Sequence, residues 1–195
     1  MRVLVGVTGA SGIPYALALL GLLREKGIEV TLVASEAAER VAEVEVEGGL
    51  ESLTELVPEV LPNSDLSAWP ASGSNRFHAM AIIPCSVSTL SKIAHGIADN
   101  LITRAAAVAL KERRTLVLVL RETPLALPVI EAMAAAARAG AVILPAMPGF
   151  YARPSTAEEL VHFVAARCMS VMGLDVDGAP KWLSPPPRSP DRTPS

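Results

Sequence analysis

Five short segments of this chain gather groups that could bind an anion or move charge: "TGASG" at 8–12, "ASE" at 34–36, "PCSVST" at 84–89, "RETP" at 121–124 and "PAMPGFY" at 145–151. Glycine-rich turns and hydroxyl-rich helix starts offer free backbone N–H groups to a phosphate. Thr8, Gly9 and Gly12 lie between a short apolar run and a segment of helical spacing, the usual order for such a cradle. Ser86, Ser88 and Thr89 open a second helical segment, where the positive end of the dipole suits an anion, although hydroxyl caps also occur without any ligand. Arg121 and Glu122 put a cation and a carboxyl directly after the fully apolar run "TLVLVL". A merely polar loop does not account for that pair.

The glycine turn does not read as a dinucleotide site. The form GxGxxG would need glycine where Val7 stands, and the form TGxxGxxG ends on Tyr15. The acid that holds a ribose hydroxyl after the second strand is replaced by Ser35, with Glu36 following. One phosphate or the edge of a flavin remains compatible with the turn. Arg104 and Lys111 are seven apart on a helical segment and share a face, which is most simply a solvated face. With Arg121, Tyr151 and Arg167 they could instead make a second phosphate pocket, and spacing does not choose between the two. Cys85 has no partnered histidine by spacing and reads as a small buried thiol. His78, His95 and His162 share no metal-ligand spacing with each other or with Cys168.

The elements that must position these groups alternate. Strands are predicted at 2–7, 28–34, 79–83, 115–120 and 141–144, as nearly continuous apolar runs buried on both faces. Helices are predicted at 12–26, at 36–47 with Ser35 as N-cap, at 86–96, at 99–112, at 126–139 and at 155–172. Strands alternating with helices give right-handed crossovers, a mainly parallel sheet and a three-layer α/β/α sandwich. All five segments then fall at the carboxyl edge of the sheet, where open α/β folds bind ligands. Residues 58–76 are read as a long loop and "SPPPRSPDRTPS" as a disordered tail. One domain over 1–182 and a tail over 183–195 are expected.

The 195 residues are 51% apolar with a formal charge of −3, from 17 basic and 20 acidic residues. A general nucleic-acid binder would carry a basic stripe, so none is expected as a partner. No run of about 18 apolar residues is present, so no membrane partner is expected. The first residues are read as a strand rather than a secretory leader, because Gly6, Thr8 and Gly9 interrupt them. Two cysteines without a disulfide pattern point to a cytoplasmic chain.

"VTGASG", Ser35 with "AAERVAEVE", "PASGS", "PCSVSTLS", "NLITRAAAVALKERRTLVLVLRETP", "GAVILPAMPGFYARP" and "FVAARCM" together resemble the flavin prenyltransferase family over residues 3 to about 182. The resemblance implies a flavodoxin-like fold, with sites at subunit contacts of a homo-oligomer, typically a dodecamer. It implies transfer of a dimethylallyl group from dimethylallyl monophosphate to N5 and C6 of reduced FMN, without a metal. Prenylated FMN then serves a partner decarboxylase of the reversible aromatic-acid type, including those of ubiquinone precursors. Carried over by position, Gly9, Ala10, Ser11, Ser35, Ser86, Val87, Ser88, Thr89 and Arg121 contact FMN. Tyr151, Arg167, Arg104 and Lys111 hold the dimethylallyl phosphate, and Trp182 is an aromatic near the site. Glu122, Glu45 and Ser11 form the catalytic set, with the two glutamates as acid–base carboxylates. Read without the resemblance, Glu45 is one of five acids on a polar helical stretch.

Other readings fit less well. A cysteine decarboxylase of the same fold would carry a catalytic histidine early in the chain, and none precedes His78. A non-catalytic FMN carrier would have no use for the phosphate set. An NAD(P) oxidoreductase lacks its glycine at Tyr15, its acid at Ser35 and a YxxxK pair after the fourth strand. A shortened 48–66 region and the Pro-rich end depart from the family pattern and bear on oligomer contacts.

Overall fold

The computed structural model describes residues 1–174. Six parallel strands form one sheet: β1 (Arg2–Val7), β2 (Glu29–Ala34), β3 (Glu59–Pro62), β4 (Ala79–Cys85), β5 (Thr115–Leu120) and β6 (Val142–Ile143), in the order β3-β2-β1-β4-β5-β6. The order reverses between β1 and β4, which opens a crevice outside their carboxyl ends. Without the short edge strand β3 the order is that of flavodoxin.

The helices are α1 (Ile13–Glu25), α2 (Glu36–Glu45), α3 (Glu51–Thr54), α4 (Val87–Ala94), α5 (Leu101–Lys111), α6 (Leu127–Arg138) and α7 (Ala157–Val171). Alternate residues of β1, β2, β4 and β5 feed two separate cores. Val3, Val5 and Val7 pack with α1, α2 and α7 on one face. Leu4, Met80, Ile82, Leu116 and Leu118 pack with α4, α5 and α6 on the other. All seven residues of β4 are buried, as a central strand covered on both faces must be. At Gly6 a side chain would stand 3.3 Å from Ile102, so this glycine lets α5 lie close to β1.

The five expected strands are present, with shifts of one or two residues. β3 lies inside the 58–76 segment read as loop, and α3 lies in 48–57, to which no element was assigned. α3 is four residues long. β3 reads Glu-Val-Leu-Pro, a composition poor in strand formers, and its proline is tolerable because the strand is at the edge. Glu59 makes up the difference: its carboxylate accepts from the Thr31 hydroxyl at 2.6 Å and from Trp69 Nε1 at 3.1 Å. β3 also delivers Asn63 to the start of α5, where its main-chain and side-chain oxygens accept the N–H groups of Leu101 and Ile102 at 2.7 and 3.1 Å. Trp182 and the predicted tail lie outside the described residues. Among the described residues, no helix is long and apolar enough to cross a membrane.

Candidate active site

β1 and β4 end side by side, and Thr8 joins them. Its buried hydroxyl donates to the Pro84 carbonyl at 2.8 Å and accepts the Ser86 N–H at 2.8 Å. The chain then turns sharply, with the Ala10 N–H on the Thr8 carbonyl at 2.8 Å. Gly9 is required here by crowding. A Cβ at this position would lie 2.4 Å from that of Ala37, at the start of α2. Ser35 caps α2 as expected, accepting the Ala38 N–H at 3.2 Å. Ser86 caps α4, accepting the Thr89 N–H at 3.3 Å and donating to the Thr89 hydroxyl at 3.1 Å.

These loops enclose one cleft of about 520 Å³. Every residue carried over to FMN lines it: Gly9, Ala10, Ser11, Ser35, the run Ser86 to Thr89, and Arg121. Glu122 lines it too, exposed, with one carboxylate oxygen accepting the Thr123 N–H at 3.0 Å. The size and the mixture of hydroxyls, N–H groups and apolar atoms suit a bound cofactor. Lys92 and Asn100 also border the cleft, and sequence reasoning did not single them out. Asn100 is the N-cap of α5 and Lys92 sits in the last turn of α4.

A smaller hollow of about 320 Å³ adjoins it, lined by Gly12, Pro14, Tyr15, Glu45 and Val161 and sharing Ser11 and Arg121 with the cleft. Glu45, last in α2, reaches across to the start of α1. One of its carboxylate oxygens accepts the N–H groups of Gly12 and Ile13 at 2.8 and 2.9 Å. Burial pushes its pKa up, but the Ser11 hydroxyl, those two N–H groups and the charge of Arg121 outweigh burial and hold it below the usual carboxylate value. The α1 N-terminus is therefore filled by a carboxylate of the chain itself. Arg121 completes the arrangement by donating from Nε to the Ser11 carbonyl at 3.0 Å.

Arg104, Lys111, Tyr151 and Arg167, expected to hold a second phosphate, line neither the cleft nor the hollow. Arg104 lies one turn into α5 and donates from Nε to the Ala71 carbonyl at 3.0 Å. Lys111 ends α5, about 16 Å along the helix from the Asn100 cap, and pairs with Glu112. α5 runs from the cleft to the opposite edge of the sheet, where β5 begins. Tyr151 is 43% exposed on the loop after β6, its ring meeting that of Phe163 edge-on at 5.6 Å. Arg167 is exposed on α7. Cys85, at the end of β4, is wholly buried, and burial pushes its thiol up to about 12, as befits an inert side chain. Among the described residues, no group of three or more His, Cys, Asp or Glu could hold a metal ion.

The Flavoprotein family model matches residues 1–177. The chain is 50% identical over 181 residues to the flavin prenyltransferase UbiX of Deinococcus radiodurans, covering 93% of each chain. Two solved structures superpose with a TM-score of 0.91. One is a dodecameric FMN-dependent UbiX-like decarboxylase from Escherichia coli O157:H7, 42% identical, with 94% of this chain and 100% of that one covered. The other is AnUbiX (PadA1) in complex with FMN and dimethylallyl pyrophosphate, 38% identical, with 94% and 97% covered.

Proposed function

The chain belongs to the flavoprotein family, on its flavin prenyltransferase branch, and from that premise we propose that it joins the dimethylallyl group of dimethylallyl monophosphate to N5 and C6 of reduced FMN. The observation that carries this reading is the pair of adjoining cavities that share Ser11 and Arg121. A flavin carrier needs one cavity; a transferase needs a second compartment opening onto the flavin's reacting edge.

The residues present fit both compounds. Gly9, Ala10, Ser35 and the start of α4 offer N–H groups and hydroxyls along the large cleft. Reduced flavin, when bound, supplies the two nucleophilic ring positions. The small hollow is walled by Pro14, Tyr15 and Val161, with Glu45 as its one carboxylate. Apolar walls suit a five-carbon prenyl group, and an aromatic face with a nearby anion favours positive charge developing on the allyl carbon as its bond to phosphate oxygen lengthens. Tyr15, the residue that spoils the dinucleotide fingerprint, thus has a use of its own.

The two glutamates divide the work. Glu45 is held as an anion by three hydrogen bonds and Arg121, so it is a poor proton donor and serves as a fixed negative charge. Glu122, exposed at the cleft, is free to give a proton to the departing phosphate and to take one back. Arg104, Lys111, Tyr151 and Arg167 bind that phosphate at a site shared between subunits of a homo-oligomer, which a dodecamer like that of the E. coli relative provides. The product, prenylated FMN, passes to a partner decarboxylase. Two unpaired, buried cysteines are in keeping with the cytoplasm.

The test is anaerobic incubation with reduced FMN and dimethylallyl monophosphate, followed by mass spectrometry of the flavin. A flavin heavier by one prenyl unit is expected, formed roughly 10² to 10⁴ times more slowly in Glu122→Gln. Bound but unaltered FMN, with dimethylallyl pyrophosphate tried as well, would leave a carrier and remove the transferase.

A further inference from the structure

The cleft crosses the sheet edge in strand order, from Ser35 after β2, past Gly9 after β1 and Ser86 after β4, to Arg121 after β5. Its β5 end carries Glu122 and opens onto the hollow of Glu45. The reacting ring must lie at that end, so the phosphate of FMN points to the other. A phosphate monoester carries close to two negative charges at neutral pH; backbone N–H groups and hydroxyls can meet it, and a cation within reach adds a charged hydrogen bond. Among the described residues lining the cleft, the cations are Lys92 and Arg121. Arg121 belongs to the β5 end and is held by the Ser11 carbonyl and by Glu45.

Lys92 belongs to the other end. It follows Ser88 by four residues on α4, on the same helix face, so its stem rises from the turn that presents the Ser88 and Thr89 hydroxyls. Its ammonium lies 2.6 Å from Asp99 Oδ2. Asp99 and its neighbour Asn100 border a further hollow with Ser35 and Asn63, on the β2–β3 side of the cleft. The side chain is one-third exposed and lines the cleft while it pairs with Asp99.

We propose that Lys92 is the cation that recognises the phosphate of FMN, held ready over the Ser35 end of the cleft by Asp99. This rests on the assignment of the large cleft to FMN. The ammonium has three donors, so it can keep Asp99 while it meets a phosphate oxygen. The role is that of a binding residue that sets the preference for FMN over riboflavin, which has the same ring and no phosphate.

The experiment is a flavin titration by fluorescence quenching with FMN and with riboflavin, on the wild-type protein, Lys92→Met and Lys92→Arg, with thermal unfolding of each as a folding control. Lys92→Met is expected to weaken FMN at least tenfold at low salt, as losing a charged hydrogen bond does. Riboflavin affinity should not change, the deficit should shrink as salt is raised, and Lys92→Arg should recover most of it. Equal weakening of FMN and riboflavin would make the Lys92–Asp99 pair a structural brace and overturn the proposal, as would unchanged FMN affinity. A wild-type protein that binds neither flavin would remove the FMN cleft itself, and this inference with it.

Discussion

At the scale of single residues, the site depends on two fixed points. The first is Glu45. Its folded pKa lies below the ordinary value of 4.5, so its stabilising contribution is complete above about pH 4.5 and is lost as pH falls through the lowered folded value. At neutral pH Glu45→Gln should cost roughly 1–2 kcal/mol, since a part-solvated carboxylate on a helix N-terminus and a guanidinium is worth that much. The gap between the wild-type protein and the variant should narrow as pH falls below 4.5 and close once the lowered folded value is passed, which circular dichroism on progressive acidification from about pH 7 can follow. A gap that stays constant on acidification would mean that the carboxylate charge is not what holds α1. The second fixed point is Gly9. Gly9→Ala puts a methyl against Ala37, so the turn or the start of α2 must move. Expected are a loss of roughly 1–3 kcal/mol and a larger loss of FMN affinity, measured by titration; near wild-type flavin binding would show that the turn yields without disturbing the cleft. The sequence marks Gly9 and Ser35 by their place after strands. It does not mark Glu45, because a carboxylate on a polar helix has no local sign that it will cap another helix 33 residues away; only the resemblance pointed to it.

At the scale of elements, strong local signals translated directly. Continuous apolar runs became strands, Ser35 became the cap assigned to it, and Ser86 caps the hydroxyl-rich start of α4. The elements missed are those that tertiary contacts make. β3 is an edge strand that exists through Glu59 and its two donors, and its composition argues against it. The end of α5 gives a prediction of the same kind. Arg113 sits there at φ 55°, with the Arg114 N–H on the Ala109 carbonyl at 2.8 Å, the geometry of a helix terminus that favours glycine. Arg113→Gly should raise stability by about 0.5–1 kcal/mol, and the melting temperature by roughly 1–4 °C. A lower melting temperature would show that the arginine side chain has an interaction, within or between subunits, worth more than the backbone strain.

At the scale of the whole molecule, the subunit looks made for company. Leu127 and Ile130 on α6, Val142 on the edge strand β6, and Met147 and Phe150 on the following loop are exposed large apolar side chains, Phe150 at 73%. Together they mark the β6 side of the fold as a surface to be covered. The residues proposed for proton transfer and for phosphate binding point the same way. Glu122 lines the cleft, whereas Lys111 lies at the far end of α5, beside the start of β5. If Lys111 serves the phosphate, it serves the cleft of a neighbour. Glu122→Gln and Lys111→Met are then each inactive for different reasons, and a mixed oligomer should contain sites with both residues intact. Random assembly of equal amounts restores about a quarter of the sites. Activity near a quarter of wild type after co-refolding, from two variants that are inactive alone, would place Lys111 across a subunit contact. No recovery from oligomers proved to be mixed would put Lys111 and Glu122 in the same subunit's site, or Lys111 outside the chemistry, and the homo-oligomer would lose its catalytic reason.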